Sequence, residues 1–108
     1  MIHRPVYRKE KDWVRDLTAC TVHLENGDEI GLTGRQKVML RALRRWATSR
    51  QRECLYLYYG RGLSQRQIAK LLEIDASTVS RNIRAGERHV DKALEVAEGR
   101  IEHEEGLY

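Results

Sequence analysis

Helix-start signals recur at short intervals between residues 48 and 90, and this spacing is the strongest constraint on the fold. Thr48, Ser64 and Asp75 are residue types that cap helices, and Thr48 opens a capping box, in which the cap and the third helical residue bond each other's backbone. Gly60-Arg61-Gly62 is typical of a helix end, because glycine tolerates the conformation found there. The segment therefore predicts three helices, with only a short turn between the last two.

The last of these helices has a regular amphipathic pattern. Its apolar residues fall within about 80° of one another when each residue advances the chain by 100° around the axis. They are Val79, Ile83, Gly86, Val90, Leu94, Ala97 and Ile101. The stripe would extend about 33 Å, so its far end must cover the N-terminal half of the chain or a partner. The glycine within it predicts a place where another helix approaches closely.

The opposite face of the last helix is polar and basic. It carries Ser77, Arg81, Arg84 and Arg88. Polar residues must face solvent somewhere, so simple exposure is one interpretation of this face. However, the face follows a cap and a short turn, and a helix N-terminus offers free N–H groups and a positive dipole end that suit phosphate. The pattern favours a surface that enters the major groove of DNA.

Residues 18–32 predict a β-hairpin. Apolar and polar residues alternate from Cys20 to Leu24, and Asn26-Gly27 is a favoured two-residue turn. Ile30 and Leu32 would form the apolar side of the return strand. A lone hairpin is marginally stable in water, so we expect it to pack on a helix or a partner chain.

A helix is predicted directly after the hairpin. Thr33 and Gln36 form another capping box, and Met39, Leu43 and Trp46 share one face of the helix that follows. In the short helix before the last one, the residues predicted to face inward are Ile68, Ala69, Leu71 and Leu72.

Together these elements predict a mainly α protein. The expected fold is a helix-turn-helix bundle of four helices with a long C-terminal helix and a small N-terminal β-hairpin. We expect a flexible basic arm over residues 1–12, the hairpin and a basic helix over 13–47, the helix-turn-helix over 48–98, and an acidic tail over 99–108. A chain of 108 residues is long enough for one modest core and leaves little room for a separate catalytic domain.

Charge is distributed unevenly along the chain, which has a net charge of +4. Residues 33–52 contain seven arginines and lysines and no acid, whereas residues 91–108 contain six acids and two bases. A basic centre with an acidic tail is typical of a nucleic-acid binder, although a solvated helical surface is the plain alternative.

Several function classes are disfavoured by the residue pattern. Cys20 and Cys54 lack the spacing of a zinc site, and the four histidines form no i, i+4 ligand pair. Nucleophile motifs and phosphate-binding glycine loops are not found, so we expect neither an enzyme nor a cofactor. No apolar run reaches the roughly 18 residues of a membrane span, which predicts a cytoplasmic protein without a membrane partner.

Within the predicted helix-turn-helix, residues 48–90, the chain resembles region four of bacterial RNA polymerase sigma factors of the sigma-70 type. The matching positions are Arg52-Glu53, Leu55, Leu57, Tyr59-Gly60, Gly62-Leu63-Ser64, Ile68-Ala69, Leu72, Ile74 and Thr78-Val79. Two positions depart from the family pattern. Glu73 stands where the turn usually has a glycine, and Ala76 at the first recognition position offers only an apolar contact, such as one to a thymine methyl group.

The resemblance implies a DNA-binding role for two short groups of residues. In the family, the last helix reads a promoter element in the major groove, and the module also contacts the polymerase. Carried over by position, the residues that would face bases or nearby phosphates are Ser77, Thr78, Ser80, Arg81 and Arg84. Gln65 and Arg66 would hold the DNA backbone, and Arg88 continues the same face of the last helix.

The resemblance covers less than half of the chain, and the upstream residues are too few for the other domain of a complete sigma factor. We therefore expect a stand-alone region-four protein with double-stranded DNA as its partner. RNA polymerase and a second copy of the chain are further candidate partners. The alternative is an adaptor that binds a protein or a ribonucleoprotein, because helix-turn-helix proteins associated with the signal recognition particle have a similar motif followed by a long helix.

Overall fold

The computed structural model describes residues 10–97, and this part of the chain is helical. It forms five α-helices and one π-helical turn. The helices are α1 (Glu10–Thr21), α2 (Gly34–Trp46), α3 (Ser49–Leu55), α4 (Gln65–Leu72) and α5 (Ala76–Ala97), and the π-helical turn (Tyr56–Gly60) continues α3. The prediction of a mainly α protein with a long last helix is therefore right. Most of the predicted basic arm, Ile101 and the predicted acidic tail lie outside the described residues.

The predicted β-hairpin at residues 18–32 is wrong, and so is the count of four helices. No strand forms within residues 10–97, and the first four residues of the expected hairpin, 18–21, are the last turn of α1. Leu17, Cys20 and Leu24 are buried, and their steps of three and four are helical. By contrast, Val22 is 53% exposed and Ile30 is 81% exposed. Burial therefore follows the helical period, and the apparent alternation does not coincide with the core.

Gly27 does adopt the positive φ that the turn signal predicted, at 70°. It turns the chain after α1 instead of joining two strands. Its N–H donates to the carbonyl of His23 at 2.8 Å. The side chain of Arg44 packs against Gly27 and donates to the carbonyl of Leu24, which fastens the loop to α2.

The predicted capping boxes are confirmed at α2 and α3, and a third is present at α4. In each case the cap hydroxyl accepts a hydrogen bond from the third helical N–H, and the third side chain accepts one from the cap N–H. At α4, the two bonds between Ser64 and Gln67 are 3.0 and 2.8 Å long. Three helix starts are thus set by local sequence alone.

One hydrophobic core joins all the helices, and α5 packs against α2, α3 and α4. The predicted stripe of α5 is buried from Val79 through Leu94, whereas Ala97 is exposed. Gly86 lies against Leu55 of α3, as the predicted close approach requires. The hydroxyl of Tyr59 in the π-helical turn donates to Glu87 of α5 at 2.5 Å, which ties the two elements together.

Two apolar residues that we expected in the core are on the surface. Leu71 is 59% exposed, because it points about 100° away from the direction in which the short α4 buries Ile68 and Ala69. Trp46 is 55% exposed because it ends α2, and the following Ala47 takes the buried position. The guanidinium of Arg45 lies 5.6 Å from the centre of the Trp46 ring.

Candidate nucleic-acid interface

A tight turn of three residues separates α4 from α5. Glu73 adopts the left-handed conformation, with φ 57° and ψ 48°. The N–H of Ile74 donates to the carbonyl of Ala69 at 3.0 Å, and the N–H of Glu73 donates to that of Lys70 at 3.4 Å. This pair of bonds is a Schellman motif, which normally uses glycine at the left-handed position. The turn therefore forms with glutamate where the family pattern has glycine.

The recognition end of α5 starts immediately after this turn. The carbonyl of Asp75 accepts bonds from the N–H groups of Thr78 and Val79 at 3.0 and 3.1 Å. The buried Val79 and Ile83 attach the first turns of α5 to the core. The opposite side of these turns therefore faces solvent.

The residues predicted to contact DNA lie on this outward side. Ala76, Ser77, Arg81, Arg84 and Arg88 are exposed, and Thr78 and Ser80 are partly exposed. On α4, Arg66 is exposed and Gln65 is partly exposed. Within residues 10–97, no carboxylate forms an ion pair with Arg66, Arg81 or Arg84.

Two hydroxyl groups hold the arginines along the helix. Thr78 Oγ1 accepts a bond from Arg81 at 3.2 Å, and Ser80 Oγ accepts one from Arg84 at 3.0 Å. A guanidinium has five N–H donors, so each arginine retains donors for a base or a phosphate. Thr78 and Ser80 thus contact the arginines, and their own contacts with DNA stay a prediction. Holding a side chain in place lowers the entropy cost of binding through it.

Sequence reasoning missed two cations that continue these faces. Lys70 is exposed one turn after Arg66 on α4, and Lys92 is exposed one turn after Arg88 on α5. Their i, i+4 spacing was the signal that could have found them. Asn82, also unnamed in the predicted set, donates its side-chain amide to the carbonyl of Thr78 at 2.9 Å.

The basic stretch of residues 33–52, by contrast, is largely engaged within the protein. Arg41 forms two bonds to Glu29 at 2.7 and 2.6 Å, and these bonds lower the pKa of the Glu29 carboxyl. Arg35 binds Asp16 at 3.0 Å. Arg44 and Arg52 donate to backbone carbonyls. Three of the seven cations, Arg35, Arg41 and Arg44, therefore hold α1 and its loop against α2. Arg66, Arg81 and Arg84, on α4 and α5, have no ion pair among the described residues.

The described part of the chain has few other candidate sites. Between residues 10 and 97, no group of three histidine, cysteine or acidic side chains is placed to hold a metal ion. No helix in the same range combines the length and apolarity that crossing a bilayer requires.

A short helix, a three-residue turn and a second helix with an exposed basic face define a DNA-binding helix-turn-helix. Residues 48–90 match the family model for sigma-70, region 4. The match covers 43 of the 108 residues, and it supports a DNA-binding helix-turn-helix similar to that of sigma factors. Comparisons with curated proteins and with solved structures found no match.

Proposed function

We propose that this protein is a sequence-specific transcription regulator that reads the major groove of double-stranded DNA with α5. The observation that carries the proposal is the exposed pair Arg81 and Arg84, in the first three turns of α5 and without an ion-pair partner among the described residues. An α-helix fits the major groove, and its N-terminal residues reach the base edges.

The two faces of the motif have different tasks in this proposal. Arg81 binds a guanine through two hydrogen bonds, which is worth about 1–3 kcal/mol of discrimination against another base. Ala76 and Ser77 lie beside it at the helix start, where an apolar contact and a hydroxyl meet base edges. Arg66 and Arg84 neutralise phosphates and position the helix without reading sequence.

RNA polymerase is the proposed protein partner, because the family model that residues 48–90 match is that of a polymerase specificity factor. The proposed place of action is accordingly the cytoplasm, where the enzyme meets DNA. Retention of RNA polymerase by the tagged protein, resistant to nuclease treatment, tests this. Loss of the polymerase on nuclease treatment would show that DNA alone connects the two.

The DNA proposal is tested by selecting bound sequences from random DNA and then comparing two variants. Arg81→Ala should bind the selected site about 5-fold to 100-fold more weakly and a scrambled site almost unchanged, because it loses a base contact. Arg66→Ala should weaken both sites by a similar factor and reduce the salt dependence by about one charge.

Arg45→Ala is the matched control, since Arg45 is an exposed arginine on α2 outside the proposed interface. It should change the affinity for the selected site and for the scrambled site by no more than about twofold, as expected of a charge remote from the DNA. Equal small effects from all three variants would contradict the assignment. If no selected sequence is bound at about 150 mM salt, where non-specific binding is weak, the adaptor alternative gains support.

A homodimer is the alternative to action as a single copy. Two copies would place two recognition helices on half-sites about 34 Å apart. The selected sequences distinguish these states: a two-fold repeat together with a dimeric mass in solution supports the dimer, and a single short site with a monomeric mass contradicts it.

A further inference from the structure

A threonine and a serine border the outward face of α5 on opposite edges. At 100° per residue, Thr78 and Ser80 lie about 160° apart around the helix axis, and Arg81 and Arg84 lie between them. Both hydroxyl-bearing residues are partly exposed, whereas both arginines are exposed. The hydroxyl groups therefore flank the surface proposed to face DNA, and the arginines form its middle.

Each hydroxyl group accepts a hydrogen bond from one arginine. The distances are 3.2 Å from Arg81 to Thr78 Oγ1 and 3.0 Å from Arg84 to Ser80 Oγ. Helical side chains lean toward the N-terminus, so an arginine lies naturally over the residue three or four positions before it. The two bonds therefore draw the guanidinium groups toward the start of α5 and toward opposite edges of its outward face.

The acceptor on Thr78 is itself held in place. The N–H of Thr78 donates to the carbonyl of Asp75 at 3.0 Å, and its carbonyl accepts a bond from the Asn82 amide at 2.9 Å. The branched Cβ atom of threonine also restricts rotation about χ1, and serine has no such branch. Arg81, the proposed base reader, is thus bonded to the more constrained of the two hydroxyl groups.

We propose that Thr78 and Ser80 are positioning residues that act through these arginines. Thr78 holds Arg81 in the orientation that reads a base, and Ser80 holds Arg84 toward a phosphate. This role in recognition rests on the proposed function, whereas the order of the arginine side chains in the free protein does not. An ordered side chain loses less freedom on binding, and only a base contact converts that gain into a preference for sequence. Discrimination between sequences therefore depends on Thr78 through Arg81.

The binding test removes one hydroxyl group at a time. Thr78→Val keeps the branched Cβ atom, and it should bind the selected site about twofold to tenfold more weakly and the scrambled site almost unchanged. That factor is expected when one immobilised side chain regains its freedom. Ser80→Ala should weaken binding to both sites by a similar factor, because a phosphate contact does not depend on sequence. Thr78→Ser and Ser80→Thr keep a hydroxyl group and should bind within about twofold of the parent.

A double-mutant comparison separates positioning from direct contact with DNA. In protein that already carries Arg81→Ala, Thr78→Val should change the affinity for the selected site by less than about twofold, because the side chain that it positions is gone. A full loss in that background would overturn the proposal, since Thr78 would then contact DNA itself. Thr18→Val is the matched control: Thr18 is an exposed threonine on α1 that donates to the carbonyl of Val14. It should bind both sites like the parent.

A measurement on the free protein tests the arginine contacts without DNA. Nitrogen-15 relaxation at the arginine Nε–H groups reports their motion on the picosecond to nanosecond timescale. The order parameter of Arg81 should fall in Thr78→Val and stay unchanged in Ser80→Ala. That of Arg84 should fall in Ser80→Ala and stay unchanged in Thr78→Val, so each variant is the control for the other. Thr18→Val should change neither.

The possible outcomes separate this proposal from the proposed function. Loss of arginine order in the variants, without sequence-specific binding by the parent, would overturn the proposed function and keep the side-chain contacts. Sequence-specific binding by the parent with unchanged arginine order in both variants would overturn the positioning role and keep the proposed function. Equal weakening of the selected and scrambled sites by Thr78→Val would also overturn the assignment of Thr78 to base reading.

Discussion

Arginine has two distinct uses in this protein, and its neighbours decide between them. Arg35 and Arg41 form ion pairs with Asp16 and Glu29, and these pairs hold α1 and its loop to α2. Arg81 and Arg84 donate to the hydroxyl groups of Thr78 and Ser80, and neither has an ion pair within residues 10–97. The same side chain therefore stabilises the fold in the first half of the chain and remains available for an anion in the second half.

Gly86 shows how a single missing methyl group can set the distance between two helices. A Cβ atom at this position would lie 2.5 Å from Leu55 Cδ1 and 3.0 Å from its Cγ. Carbon atoms do not approach so closely, so α5 or Leu55 would have to move. We expect Gly86→Ala to lower the free energy of unfolding by about 1–3 kcal/mol, the usual effect of overpacking a core. That loss should exceed the gain of up to about 1 kcal/mol in helix propensity. Urea denaturation measures the change.

Gly34→Ala is the control for this substitution. Gly34 also lies in a helix, but nothing approaches within 4 Å of the position of its Cβ. The substitution should therefore be neutral or stabilise the protein slightly. A stability of Gly86→Ala equal to that of the parent would show that Leu55 adjusts without cost.

Between secondary-structure elements, the turn from α4 to α5 sets the angle between these two helices. Glu73 occupies a left-handed conformation that costs a residue with a Cβ atom about 1–2 kcal/mol. We expect Glu73→Gly to raise the free energy of unfolding by about 0.5–1 kcal/mol, because the strain is relieved but glycine loses more entropy on folding. Thermal or urea unfolding of the variant checks this.

Glu73→Ala separates backbone strain from the loss of a surface charge. Alanine keeps the Cβ atom, so this variant should be within about 0.5 kcal/mol of the parent, as for other surface substitutions. Equal stabilisation by alanine and glycine would attribute the gain to charge and would contradict the strain argument.

At the scale of the whole molecule, both cysteines lie in the single core to which every helix contributes. Cys20 and Cys54 have no exposed surface. Burial, followed by the nearby charge of Asp16, raises the pKa of Cys20 to about 12. Burial also raises the pKa of Cys54, although Arg50 opposes the shift. Neither thiol should react until the protein unfolds.

Thiol reactivity therefore reports on global unfolding. At pH 8, a thiol reagent should leave the native protein unmodified and should modify both cysteines in urea. Thr18→Cys, at an exposed position on α1, should react at once and serves as the positive control. Rapid modification of Cys20 in the native protein would show that α1 detaches without global unfolding.

The raised pKa of Cys20 also predicts the direction of a pH effect. In the unfolded chain the thiol ionises near pH 9, whereas in the folded protein it stays protonated until about pH 12. The folded state thus binds the extra proton, and the stability that this provides is present below pH 9 and declines as pH rises toward 12. The slope is at most about 1.4 kcal/mol per pH unit for one proton. Cys20→Ala should show a shallower decline in unfolding free energy over this range than the parent.

Local sequence was sufficient wherever a few neighbouring residues decide the structure. The capping boxes at Thr33 and Thr48, the stripe of α5 from Val79 to Leu94 and the exposure of Arg81 could all be predicted, because caps and helical periodicity depend on residues within a turn or two. The family resemblance of residues 48–90 could be recognised for the same reason.

Only the tertiary structure determined the secondary structure of the N-terminal third and which charged side chains form ion pairs. Alternating apolar residues near Cys20 suit a strand or a helix equally over so few residues, and it is the packing of Leu17, Cys20 and Leu24 into a shared core that selects the helix. Likewise, the sequence shows seven cations between residues 33 and 52, but not that Asp16 and Glu29 engage two of them across the fold. Burial and ion pairing between distant segments arise from the assembled core, so they lie beyond the reach of local sequence patterns.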